Sequence, residues 1–141
     1  MTRPEEIKAQ YIQSVNRHLD DLVHNRSVDM LEIEDFARML CIHPTHLSNT
    51  IQATTGTSAC GVFQVKILEK ALELLADSSL SIQQIARQLT YEPSQFSKWF
   101  RRMTGLTPKA YRAQLSAPGK RNINTEIMTS LENRLGIPLC F

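Results

Sequence analysis

Little in this chain of 141 residues offers reactive chemistry. Its three cysteines, Cys41, Cys60 and Cys140, stand far apart and form no CxxC pair. An odd, widely spaced set excludes a disulfide framework and a four-cysteine metal site. There is no Gly-rich phosphate loop, no pair of carboxylates in a cleft-like context and no triad arrangement, so neither an enzyme nor a cofactor is expected. Long apolar runs are also missing. Nothing approaches the roughly 20 residues that span a bilayer, and the polar stretch 1–10 holds no signal-peptide core. A reducing cytoplasm without membrane attachment is expected. Net charge is scarce too: a formal +2 does not by itself argue for a nucleic-acid partner.

What the chain does have is helical periodicity. Apolar residues at Ile7, Tyr11, Val15, Leu19, Leu22 and Val23 mark one face of a first helix, about 5–25. Further helices are predicted over about 32–40, 44–54, 60–77, 82–89, 94–103, 109–115 and 125–135. Their punctuation is specific. Pro44 suits a first helical position, Gly56 a helix end, and Ser81 with Gln84 the reciprocal cap that opens a helix. Asp77-Ser78-Ser79 breaks the long helix, Ala117-Pro118-Gly119 ends the main domain, and Gly136 and Pro138 stop the last helix. The expected fold is all-α: two helix-turn-helix units, about 30–59 and 80–112, joined by a linker helix of about 60–77 within a domain of 1–117. A C-terminal extension, 118–141, carries one short helix. Its apolar stripe, Ile127, Met128, Leu131 and Leu135, must pack on the domain or meet another chain.

The two units emerge from an internal repeat. A shift of 49 positions lays 33–59 over 82–108 without a gap, matching Ile33 to Ile82, Ala37 to Ala86, Arg38 to Arg87, Leu40 to Leu89, Pro44 to Pro93, Ser48 to Ser97, Thr55 to Thr104 and Gly56 to Gly105. Positions of one kind also correspond: Phe36 with Ile85, Leu47 with Phe96 and Ile51 with Phe100. On the second helix of the second copy, Phe96, Trp99, Phe100 and Met103 share one side. Trp99 therefore reads as core, not as a stacking platform. The opposite side carries Ser94, Gln95, Ser97, Lys98, Arg101 and Arg102. Groups of that kind read base edges and hold phosphates when a helix lies in a major groove.

Ser94, Gln95 and Lys98 are the stronger base-reading candidates, with Thr45, His46 and Asn49 as their weaker counterparts. Arg101 and Arg102 are expected to hold phosphates. Arg38 and Arg87, on the first helix of each copy, and Lys109 and Arg112, near the start of the next helix, are further phosphate candidates. For Arg38 a surface ion pair with Glu34 or Asp35 competes with that role. The first copy has Asn49, Gln52 and Ala53 where the second has Lys98, Arg101 and Arg102, so the second is expected to anchor and the first to contribute less. Its outer face could equally be solvated or pack on protein. Cys41, His43 and His46 lie close together, but three residues across one turn with no second cluster make no zinc site. Cys60 is expected to be a small buried residue, and His18 and His24 partly exposed.

SIQQIA (81–86), FSKWFRRMTGLTP (96–108), the closing Tyr111-Arg112, and IEDFARML with HPTHLSNTIQATTG in the first copy resemble the AraC/XylS-type bacterial transcription regulators. The resemblance covers about 30–112. It implies an all-helical DNA-binding domain of two helix-turn-helix units joined by a long helix, acting on double-stranded promoter DNA in the stand-alone, MarA/SoxS-like layout. This chain departs from the family at its turns. Thr90-Tyr91 replaces a glycine that is often followed by phenylalanine, the turn after them is one residue shorter, and Cys41 replaces the corresponding glycine of the first unit. His43 stands where a serine cap is common. Because a position that favours positive φ carries a side chain, an altered turn geometry is expected. The competing expectation is a protein-interaction regulator, an anti-activator or co-regulator that meets RNA polymerase or another regulator. On either expectation the chain is a monomer or a dimer through its C-terminal extension.

Overall fold

The computed structural model of the chain describes residues 2–117, 122–139 and 141. Pro118 and Gly119, expected from the sequence to end the main domain, and Cys140 lie outside the described residues. The described residues form eight α-helices and no strand: α1 (Arg3–Val23), α2 (Ile33–Met39), α3 (Pro44–Thr55), α4 (Ala59–Leu75), α5 (Ile82–Gln88), α6 (Pro93–Thr104), α7 (Pro108–Leu115) and α8 (Ile123–Leu135). They divide into two compact units. The first takes in the chain up to Ile67 together with Phe141, and the second is Leu68–Leu139. Helix α4 supplies its first half to one and its second half to the other.

In the first unit the apolar stripe of α1 closes over α2 and α3. Ile7, Tyr11, Val15, Leu19 and Leu22 are buried with Phe36, Leu47 and Ile51. Phe36 is the hub, meeting Tyr11 edge-on at 5.6 Å and Phe63 at 5.4 Å between ring centroids. Burial pushes the Tyr11 phenol far above its usual range, so it stays a donor, and it donates to the Ala59 carbonyl at the start of α4 (2.8 Å).

The partly exposed His18 expected from the sequence is instead buried, at 4% exposure. Its ring is edge-on to Phe36, and its Nε2 accepts the Leu31 N–H at 3.0 Å, which ties the α1–α2 connection to the core. Burial lowers its pKa against the opposing pull of Asp21 and Asp35.

In the second unit Phe96, Trp99 and Phe100 of α6 pack with Ile85, Ala86 and Leu89 around α5. Tyr91 stacks on Trp99 (5.3 Å), and Phe100 meets Tyr111 of α7 edge-on (5.7 Å). Helix α8 also belongs to this unit, packing on α6 with Ile127 and Leu131 buried. Helix α4 ends at Leu75, two residues before the predicted Asp77, because Asp77 turns the chain instead: its carboxylate accepts from the backbone and hydroxyl of Ser79 (2.9 and 2.6 Å).

Candidate nucleic-acid interface

The helix-turn-helix geometry is built twice with the same hydrogen bonds. After α2 the Ile42 N–H reaches the Ala37 carbonyl (3.0 Å) and the Cys41 N–H that of Arg38 (3.1 Å); after α5 the Tyr91 N–H reaches Ala86 (2.8 Å) and the Thr90 N–H reaches Arg87 (3.0 Å). This 6→1 and 5→2 pairing is a Schellman cap, which needs a left-handed residue at its centre. Cys41 and Thr90 supply it, at φ 59° and 66°. The altered turn expected from the missing glycines is therefore not found: the left-handed conformation persists with a side chain attached.

The next turns also coincide. Gly56 and Gly105 close α3 and α6 in the left-handed region. Thr55 and Thr104 hook back onto the Ile51 and Phe100 carbonyls (2.7 and 2.9 Å), while each hydroxyl accepts the N–H two residues on, from Thr57 and Leu106. Ser58 and Thr107 then accept from Gly61 (2.9 Å) and Ala110 (3.1 Å), opening α4 and α7 at equivalent positions.

Onto this shared frame the two copies place different chemistry. On α6 the side chains of Ser94, Gln95, Lys98, Arg101 and Arg102 are exposed while Phe96, Trp99 and Phe100 are buried. On α3 the exposed set is Thr45, His46, Asn49, Gln52 and Ala53, with no cation. His43 takes the serine's part as the cap of α3, its Nδ1 accepting the Thr45 N–H at 3.1 Å. A cleft of about 320 Å³ lies beside α3 at the start of α4, lined by Ile33, Ser48, Asn49, Gln52, Ser58, Ala59 and Cys60. Cys60 is thus exposed, not buried as expected, because Ala59 and Val62 take the inward positions of that first turn. Through the repeat, Asn49, Gln52 and Cys60 correspond to Lys98, Arg101 and Lys109, so the neutral lining of the first copy is cationic in the second.

The remaining candidates separate. Arg87 and Lys109 are exposed. Arg38 pairs with Asp35 at 3.3 Å while 76% exposed, the weak surface ion pair that competed with its phosphate role. Arg112 is turned inward: its guanidinium donates to the Leu75 carbonyl (3.0 Å) and the Asp77 carbonyl (3.3 Å), holding the end of α4. Among the described residues no group of three or more His, Cys, Asp or Glu is placed to hold a metal ion. None of their helices is long and apolar enough to cross a membrane.

A pair of helical units, each presenting one exposed helix after a Schellman turn, defines a double helix-turn-helix protein. Residues 36–114 match the helix-turn-helix domain family. The C-terminal domain of AraT, a response regulator from Geobacillus stearothermophilus, superposes with a TM-score of 0.69 at 26% identity, covering 86% of this chain and 96% of that one. An AraC-type transcriptional regulator from Chromobacterium violaceum superposes with a TM-score of 0.60 at 25% identity, over 76% and 96%. The regulatory protein PocR of Salmonella typhimurium is 34% identical over 89 residues, 62% of this chain and 29% of that protein. The HTH-type transcriptional regulator YtdP of Bacillus subtilis is 28% identical over 107 residues, 75% of this chain and 14% of that protein. The chain belongs to the AraC-type helix-turn-helix family of DNA-binding transcription regulators. It spans well under half the length of these two curated relatives.

Proposed function

We propose that the chain binds promoter DNA sequence-specifically through two recognition helices, α3 and α6, in successive major-groove segments, with α6 the stronger anchor. The observation that carries this reading is the charge difference on one repeated frame: α6 exposes Lys98, Arg101 and Arg102 where α3 exposes Asn49, Gln52 and Ala53. Each phosphate neutralised releases counterions, so the cationic copy supplies most of the salt-dependent affinity. Ser94, Gln95 and Lys98 read bases from α6, and Thr45, His46 and Asn49 from α3. Arg87 and Lys109 join Arg101 and Arg102 on phosphates; Arg38 does so once it leaves Asp35. Arg112 drops out of that set because two backbone carbonyls already hold it.

The rival, a protein-interaction regulator, drew on the apolar stripe of the extension. Burial of Ile127 and Leu131 within the second unit leaves it the half-buried Met128 and Leu135, 48% exposed. Selection of bound duplexes from a random pool at moderate salt tests the reading, with a long asymmetric site expected. A short site, or equal affinity losses from Lys98→Ala and Asn49→Ala at one salt concentration, would overturn the two-helix, α6-dominant form. Lys98→Ala is expected to lose about tenfold and Asn49→Ala clearly less.

A further inference from the structure

The last carbonyls of any α-helix have no partner within the helix, and they gather its negative pole. On α6 these groups are fully engaged as far as Met103. The Gly105 N–H takes the Arg101 carbonyl (2.7 Å). Arg134 of α8 takes the next two: its Nη1 donates to the Arg102 carbonyl at 2.8 Å, and its Nη2 donates to the Met103 carbonyl. One planar guanidinium spans two adjacent carbonyls, which a lysine ammonium matches less well. Helix α8 is seated for this contact by burial of Ile127 and Leu131, and by the Tyr111 hydroxyl donating to Asn124 near its start. The first copy has nothing equivalent. Among the described residues, none donates a side-chain hydrogen bond to the carbonyls of Ala53 and Thr54, the counterparts of Arg102 and Met103.

We propose that Arg134 is a positioning residue for DNA binding: by capping the C-terminal end of α6 it fixes the helix turn from which Arg101 and Arg102 reach phosphate. The proposal rests on α6 being the DNA anchor. Arg101 and Arg102 stand in the last helical turn, where a cation is ordinarily drawn toward the negative pole of its own helix. With Arg134 already meeting that pole, the two exposed arginines are left to face outward. Three guanidinium groups also share one helix end, and an anionic duplex relieves their mutual repulsion. The extension thereby becomes a working part of the second helix-turn-helix.

A double-mutant cycle in the full chain tests this, using a mixed-sequence duplex and fluorescence anisotropy at fixed salt. Arg134→Met is expected to weaken binding about threefold in the natural background, and to add nothing when Arg101 and Arg102 are both alanine. Arg134→Lys, which keeps a cation at the carbonyls, should recover part of the loss. Thermal melts of each variant set the folded fraction, and the lysine variant carries the cycle if the methionine variant does not fold. The same loss in both backgrounds would mean that Arg134 touches phosphate itself and would overturn the proposal. So would a lowered Tm with unchanged affinity, which marks a merely structural cap. If Arg101→Ala with Arg102→Ala leaves affinity unchanged, α6 is not the anchor, and the proposal falls with that reading.

Discussion

The two halves of this molecule agree in their hydrogen bonds and differ in their charges. The Schellman pairs, the threonine hooks and the hydroxyl caps of the following helices recur at a spacing of 49 residues. None of the three cations on α6 has a cationic counterpart on α3. Geometry is held by small, local, backbone-directed groups, and the DNA contacts proposed above fall to exposed side chains at other positions. The comparison teaches that the two properties are encoded at separate positions, which is why one copy can be neutral without being misshapen.

Transferring charge from one copy to the other is the strongest way to break that separation. Asn49→Lys, Gln52→Arg and Cys60→Lys together should steepen the dependence of log K on log salt by about 0.9 for each phosphate gained, and tighten binding at low salt more than tenfold. A salt titration of mixed-sequence duplex binding measures it; an unchanged slope would show that the first copy does not face DNA. Smaller effects are expected at the two left-handed turns. Thr90→Gly should stabilise the fold by about 1 kcal/mol in urea melts, since a β-branched residue is strained at φ 66°. Cys41→Gly should gain less because its side chain is unbranched.

The smallest effect concerns acid. Burial holds the folded-state pKa of His18 below its usual value near 6.5. The neutral ring therefore contributes stability that is fully present above that value and is lost as pH falls through the folded pKa. His18→Gln keeps an acceptor for Leu31 without titrating, and should flatten the acid limb of stability against pH.

Much of this organisation was legible in the sequence, because core spacing and helix punctuation are local. The 49-residue shift placed both helix-turn-helix units, and the Ser81–Gln84 cap is present with both of its bonds. His18 was expected to be partly exposed, yet it sits three positions after Val15 and four before Leu22 on the buried stripe of α1, and that spacing was the available signal. That Cys41 and Thr90 keep the positive φ could not be read from their residue types, because the local Schellman bonds hold it against residue preference. Arg112 and Arg134 were beyond reach for another reason. Each spends its charge on carbonyls 31 to 37 residues away, and only packing brings those ends together. Of the candidate site, the contrast between α3 and α6 could be read from the chain, but not the inward turn of Arg112.

The threonine hooks have a consequence for how such a protein can be rewritten. Thr55 and Thr104 fix the direction in which the chain leaves each exposed helix, and they do so through hydrogen bonds to the backbone alone. The outer residues of α3 or α6 can therefore be exchanged as a set, as letters in a frame that does not move. Each half of the molecule is in that sense an editable cassette.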